Sequence, residues 1–367
     1  MVRLGAMGDI LHALPAATAL RQAHPDWTIN WAVEPHWAPL LTARSHTDSE
    51  FPIPTTSLQP VANHIHFIAA KRWGRHPLSP ATFRDIARAR HELRRQNYDV
   101  TVDLQGAIRS AIIGRWANAP RMIGEDTPRE RAARHFFNER IPTQGRHVIE
   151  QCLEVCSAIT GEALPYTPAQ LPIDPTAEAW CDRWLAANLG TRPFVLLNPG
   201  AGWGAKRWPT ARYGQLAAEL HAAGYAIAVN AGPAEDDLAR QVVAASAVNQ
   251  GVSATTPTLG ELTALTRRAA LVIAGDTGPL HLANALGRRV VGIFGPTDPA
   301  RNGPFGSQFR VLRHPESRRD HSRRTDPEAG LLTITVQSVF EAATELLRNA
   351  PQPTPTNAAH ATIKGNA

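Results

Sequence analysis

Four short runs in the second half of the chain are apolar almost from end to end: FVLLN (194–198), AIAVN (226–230), ALVIA (270–274) and VVGIF (290–294). A strand with one wet face alternates between apolar and polar residues. A strand that is apolar throughout is covered on both faces, as in a parallel sheet flanked by helices. Between these runs lie stretches with helical spacing at 210–223, 235–244, 258–268 and 279–286. The first half repeats the pattern, with strand-like runs at 28–33, 64–68, 99–104 and 121–123 and helical stretches at 10–23, 80–96 and 108–117. The alternation predicts an α/β chain built as two doubly wound parallel sheets. A proline-rich stretch, GEALPYTPAQLPIDPTAEAW, places the boundary between them: one unit over 1–170, a linker over 171–192 and a second unit over 193–348. The polar, aperiodic end at 349–367 is expected to be a disordered tail.

Composition narrows the class of partner. No apolar run approaches the roughly 20 residues needed to cross a bilayer. The first residues lack the pattern of a secretory signal. Three cysteines in 367 residues do not form a disulfide framework, so a cytoplasmic location is expected. The formal charge of +6 favours anionic partners: an acidic substrate, an anionic membrane surface or nucleic acid. An aromatic–basic nucleic-acid module is missing, so no nucleic-acid partner is expected.

Chemistry concentrates in the loops at strand ends. NPGAGWGAKRWP (198–209) follows a strand, carries Gly200, Gly202 and Gly204, and adds the positive charge of Lys206. Such a turn lets backbone N–H groups approach an anion, although G-x-x-x-x-G-K-[ST] is absent. In AGDTGPLHLANALG (274–287), Pro279 suits the first helical position and Thr277 or Gly278 the cap. The helix start offers an anion site, with Asp276 just before it and His281 one turn in. A helix cap explains Asp276 or Thr277 but not the added His281. In NAGPAEDDLAR (230–240), Glu235 is either an acid favoured by the helix dipole or a ligand for a ribose. The first turn, GAMGD (5–9), raises a puzzle: strand to helix suits a phosphate, yet Asp9 would repel one.

RLGAMGDILHALPA, NPGAGWGAKRWP and AGDTGPLHLANALGRRVVGIFGPTDP together resemble the motifs of bacterial heptosyltransferases of lipopolysaccharide inner-core synthesis, glycosyltransferase family 9. KRW (71–73) and YDVTVDLQG (98–106) make the heptosyltransferase I type the nearest match. The resemblance implies a GT-B fold of two Rossmann-like domains around a cleft. It implies inverting, metal-independent transfer of a heptose from ADP-heptose to a Kdo-bearing, lipid-linked anionic acceptor, with no cofactor. It also implies roles residue by residue. Asp9 matches the proposed general base, and Lys206 a lysine at the donor phosphates. Asp276, Thr277, Gly278 and His281 match the donor pyrophosphate and sugar site, and Glu235 the ribose acid. Lys71, Arg72 and Arg75 match basic residues facing the acceptor, as does Arg129 or Arg131. Ala201 and Gly202 replace hydroxyl residues of the family's donor site, which leaves backbone contacts there.

Further expectations concern the rest of the chain. The first strand, 2–4, is short for this family. Cys152 and Cys156, and likewise Trp180 and Trp184, are one turn apart and read as packing faces rather than a zinc site or a sugar platform. The basic run ARARHELRRQ reads as a solvated helix face, and a peripheral contact with the inner membrane would suit a lipid-linked acceptor. Three rivals remain open. Glu34 after the second strand suggests a dinucleotide oxidoreductase, weakened because the first turn is G-x-x-G. A nucleotide-sugar epimerase and a non-catalytic nucleic-acid-binding protein are the others.

Overall fold

The computed structural model describes residues 1–43, 56–232, 235–306, 308–317 and 325–348. The expected tail at 349–367 and part of a densely charged stretch, HPESRRDHSRRTDPEAG (314–330), lie outside the described residues. In the first half the elements are α1 (Met7–Ala23), β1 (Asn30–Val33), β2 (His64–Phe67), α2 (Ala70–Arg75), α3 (Pro80–Arg95), β3 (Val100–Asp103), α4 (Ile108–Trp116), β4 (Arg121–Glu125), β5 (Glu139–Ile141) and α5 (Val148–Thr160). In the second half they are α6 (Pro175–Asn188), β6 (Phe194–Asn198), α7 (Thr210–Ala222), β7 (Ala226–Asn230), α8 (Asp236–Ser246), β8 (Val252–Thr255), α9 (Leu259–Arg268), β9 (Leu271–Gly275), α10 (Gly278–Ala285), β10 (Val290–Phe294), α11 (Pro299–Asn302), β11 (Phe309–Arg313), α12 (Ala329–Thr333) and α13 (Val336–Arg348). Within the segment expected to link the halves, the chain forms α6, capped by Asp174 and packed on α9.

All strand pairings between named strands are parallel. The second-half sheet runs β11-β10-β9-β6-β7-β8. Its order reverses between β6 and β9, and the crevice beyond the carboxyl ends of such a pair is where open α/β sheets bind ligands. Every residue of β6, β7, β9 and β10 is buried, as their unbroken apolar runs require.

The first-half sheet obeys the same rule through a very short strand. Val2 bridges Ala32 on one side and Asp103 on the other. Val2 N–H donates to the Val102 carbonyl at 2.8 Å, and Leu104 N–H to the Val2 carbonyl at 3.1 Å. On the opposite side Ala32 N–H donates to Met1 O at 2.9 Å, and Glu34 N–H to Leu4 O at 3.1 Å. The leader thus joins β1–β2 to β3–β4–β5, and the order reverses between it and β3. Helix α1 leaves this switch point. It is buried on nearly every side and packs on both α5 and α10, which explains its almost continuous apolar sequence.

Candidate active site

The two switch points carry the two Gly–Asp turns, and α1 and α10 bring them together. Gly8 lies against His281: a Cβ built there would sit 2.6 Å from the imidazole Cδ2. Gly278 lies against the Met7 side chain, where a Cβ would collide with the sulfur. These glycines let one helix start approach the other.

In the second half, Lys206 arrives from the loop after β6 and Asp276 from the end of β9. Lys206 Nζ donates to Asp276 Oδ2 at 2.5 Å and to the Asp276 carbonyl at 3.3 Å. His281 Nε2 is 3.2 Å from Asp276 Oδ1. The side chains of Lys206 and Asp276 are only 11% and 8% exposed. Burial alone would push the Asp276 carboxyl up, but the His281 hydrogen bond and the Lys206 charge hold it far below the usual carboxylate range. An ammonium has three N–H donors. Two are directed at Asp276, and the third is available to an anion. Lys206 also stands over the Trp203 ring, 4.4 Å from its centroid. The helix start is narrower than its sequence suggests. Pro279 has no N–H, and Leu280 and His281 donate back to the Thr277 carbonyl at 3.1 and 3.4 Å. The amides of Thr277 and Gly278 are those placed to meet a phosphate.

Glu235 stands at the N-cap position of α8, one residue before its first turn, with its side chain turned to Arg207 rather than to the helix amides. Its Oε1 accepts from Arg207 NH2 at 3.2 Å, and the same guanidinium donates to the Ala201 carbonyl at 3.1 Å. Glu235 lies so close to Gly200 that a side chain there would displace it. Ala201 is buried, whereas Gly202 is open on the side where a Cβ would stand. Lys206, Asp276 and His281 therefore form one tight cluster. Ala201 and Glu235 form a second around Arg207, on the same loop as Lys206.

Asp9 behaves differently from Asp276. It is 37% exposed at the side chain. Its Oδ2 accepts from Ala6 N–H at 3.0 Å, and its Oδ1 meets Arg3 NH2 at 3.1 Å. The carboxylate therefore caps the first turn of α1, which resolves the local puzzle of an acid at that place. It also lines a cavity of about 560 Å³ with Arg3, Glu125, Arg129, Trp203 and Arg301. Each carboxylate oxygen keeps a lone pair for a hydroxyl in that space. Nearby Asp103 is buried. Burial pushes its carboxyl up, against hydrogen bonds from Gly106 N–H, Ser110 and Gln105 N–H, so it is a turn cap.

Among the expected acceptor residues, Arg129 lines this cavity and Arg131 does not. Lys71, Arg72 and Arg75 sit on α2 and do not line it either. Lys71 Nζ is 3.4 Å from His36 Nε2, and Arg72 pairs with Asp85. Glu34, the basis of the oxidoreductase alternative, accepts from Lys71 N–H at 2.8 Å and is buried. The sequence does not single out Arg3, Glu125, Trp203 and Arg301 on the cavity, or His12, which packs edge-on against His281 with ring centroids 4.5 Å apart. His12 is one turn along α1 from Asp9, and that spacing is the one signal the sequence offers for it. Cys152 and Cys156 are buried and unpaired in α5, as a packing face requires, and burial pushes the Cys152 thiol up to about 11. Among the described residues no His/Cys/Asp/Glu group is arranged to hold a metal ion.

The profile of glycosyltransferase family 9 (heptosyltransferase) matches residues 86–332. The chain belongs to this family. It is 27% identical over 309 residues to lipopolysaccharide heptosyltransferase 1 of Pseudomonas aeruginosa, covering 83% of this chain and 81% of that one. It is 26% identical over 353 residues to lipopolysaccharide heptosyltransferase 1 of Escherichia coli K12, covering 94% and 99%. The solved structure of E. coli heptosyltransferase WaaC with ADP superposes with a TM-score of 0.75 at 25% identity, covering 94% of this chain and 98% of that one. The protein is thus a family 9 glycosyltransferase with the GT-B fold.

Proposed function

We propose that this glycosyltransferase moves a heptose from ADP-heptose to the Kdo-bearing inner-core acceptor of lipopolysaccharide, with inversion and without a metal ion. One observation supports the reading: α1 packs on α10, an accessible carboxylate, Asp9, lines a cavity together with Trp203, and a buried cation held in place, Lys206, stands over the Trp203 ring. Inversion requires both. Asp9 removes the proton as the acceptor hydroxyl oxygen attacks the anomeric carbon. The bond from that carbon to the diphosphate oxygen breaks, and its electron pair stays on the diphosphate. Lys206, fixed by Asp276, and the Thr277 and Gly278 amides meet the growing charge. His281 orients Asp276, Glu235 takes the ribose hydroxyls, and Ala201 and Gly202 offer backbone to the nucleotide. Arg129 faces the anionic acceptor in the Asp9 cavity, and Lys71, Arg72 and Arg75 meet its outer parts. The two domains span 1–170 and 193–348, each containing one sheet, and are joined through 171–192. A lipid-linked acceptor puts the enzyme in the cytoplasm, at the inner face of the inner membrane.

The test is a thermal-shift panel of ADP-, GDP-, UDP- and dTDP-sugars, followed by product analysis with a Kdo-bearing acceptor in the presence of EDTA. ADP-heptose should stabilise the protein most, and transfer should survive the chelator. Stabilisation by another nucleotide sugar, loss of transfer in EDTA, or donor conversion without acceptor would contradict the reading.

A further inference from the structure

The chain's positive charge is not spread evenly. Residues 70–95, which comprise α2, α3 and the turn between them, hold eight Lys/Arg against two acids, a formal +6 that equals the net charge of the whole chain. Helix α3 turns Thr82, Ala89 and Leu93 inward, and its exposed side carries Phe83, Arg84, Arg88, Arg90, Arg94 and Arg95. Some surface arginines elsewhere are answered by acids, Arg121 by Glu139, Arg268 by Glu178 and Asp182, and Arg310 by Glu345, while others such as Arg109 and Arg192 stand singly rather than in a cluster. Among the described residues none of the five exposed α3 arginines, nor Arg75, is in an ion pair. The same segment holds two large apolar side chains turned to solvent: Leu78, 84% exposed in the turn, and Phe83, 56% exposed in the first turn of α3. Leu78 is the most exposed large hydrophobic residue among those described. A cationic field around exposed apolar residues is the chemistry of a protein that lies on an anionic bilayer, the arginines meeting phosphates and the apolar tips entering the interface. Topology places it well. In a parallel sheet the turns after the leader strand and after β2 leave from the same edge, so the start of α2, the Leu78 turn and the start of α3 share an edge with Asp9.

We propose that α2, the Leu78 turn and the outer face of α3 form a docking surface for an anionic phospholipid membrane, with Leu78 and Phe83 inserted at the headgroup level. Its purpose rests on the lipid-linked acceptor proposed above, but its test does not. Vesicles of phosphatidylcholine with or without phosphatidylglycerol, carrying no acceptor, are floated with the full-length protein. Binding is expected on the anionic vesicles only, and to fall on raising salt from 50 to 500 mM, as surface charge is screened. R84E/R88E should weaken it at least about tenfold, two charges being reversed, and L78S/F83S by roughly tenfold. Both variants should keep the wild-type melting temperature and turnover on a delipidated, water-soluble acceptor. The proposal is overturned if the wild type ignores anionic vesicles, if it binds zwitterionic ones equally, or if either variant binds as the wild type does. It is also overturned if duplex DNA displaces the vesicles and binds L78S/F83S as tightly as wild type. Loss of sugar transfer to the delipidated acceptor by the wild type would instead count against the proposed function and leave the docking result intact.

Discussion

The turns GAMGD and AGDTG place an aspartate at the same point of two similar βα units, and the protein makes opposite use of them. Asp276 is 8% exposed and gripped by Lys206 and His281, so its charge is permanent and spent on holding a cation. Asp9 is 37% exposed, anchored by one backbone N–H and by Arg3, and opens onto a cavity. A Gly–Asp pair at a strand end therefore does not define a role. The difference comes from what surrounds each carboxylate: Lys206 and His281 of its own half close around Asp276, whereas Asp9 faces a cavity lined from both halves.

Breaking the exposed member should have the largest effect. Asp9→Asn should lower turnover by about 10²–10⁴-fold, the range for a positioned base, measured as single-turnover transfer. Lys206→Ala comes next. Losing one preorganised donor for a developing anion costs roughly 10²–10³-fold in kcat, and the buried Asp276 charge left behind should also lower the melting temperature. The contact between the turns can be probed by Gly8→Ala and Gly278→Ala. Each forces a methyl into an occupied place, which costs about 1–3 kcal/mol in a packed interior, read as a loss of thermal stability with a fall in kcat. A rise or no change in stability would show that the helix starts do not meet as described.

The smallest effect concerns the seam itself. His12 is fully buried, and burial, then His281, His147 and Arg3, push its pKa well below 6.5. The folded state therefore binds fewer protons than the unfolded one as pH falls below 6.5, and stability is lost in that direction. One such histidine contributes about 1 kcal/mol between pH 6.5 and 5.5. Thermal melts over this range should show the loss, and His12→Phe should flatten the slope. An unchanged slope would remove His12 from the account.

The sequence reveals the central strands of the second sheet because they are buried on both faces, which leaves an uninterrupted apolar run. It hides β5 (ERI), β8 (VSAT) and β11 (FRVLR), whose residues are half-buried or exposed at many positions because these strands lie at sheet edges. The leader strand is legible as a short apolar piece at 2–4, but its length is not. Val2 alone bridges both neighbours, and no periodicity can be read from one residue. At the candidate site, the positions of Lys206, Asp276, Glu235 and Asp9 at strand ends are legible because each stands beside a glycine-bearing turn. Arg3, His12, Trp203 and Arg301 are not. Arg301 reaches the cavity through packing between elements distant in sequence; Arg3, His12 and Trp203 stand close in sequence to Asp9 or Lys206, and only the fold shows which way they face.

The different work of the two aspartates is tested most directly by measuring ADP-heptose affinity in Asp9→Asn and Asp276→Asn, with melting temperatures confirming that both fold. Asp9→Asn should bind the donor within about twofold of wild type, since the role proposed for that carboxylate is on the acceptor. Asp276→Asn should bind it at least tenfold more weakly, because Lys206 loses its anchor and a charge-assisted hydrogen bond is worth about 1.5–3 kcal/mol. Equal weakening in both variants, or weakening in Asp9→Asn alone, would contradict the division of labour between the two turns.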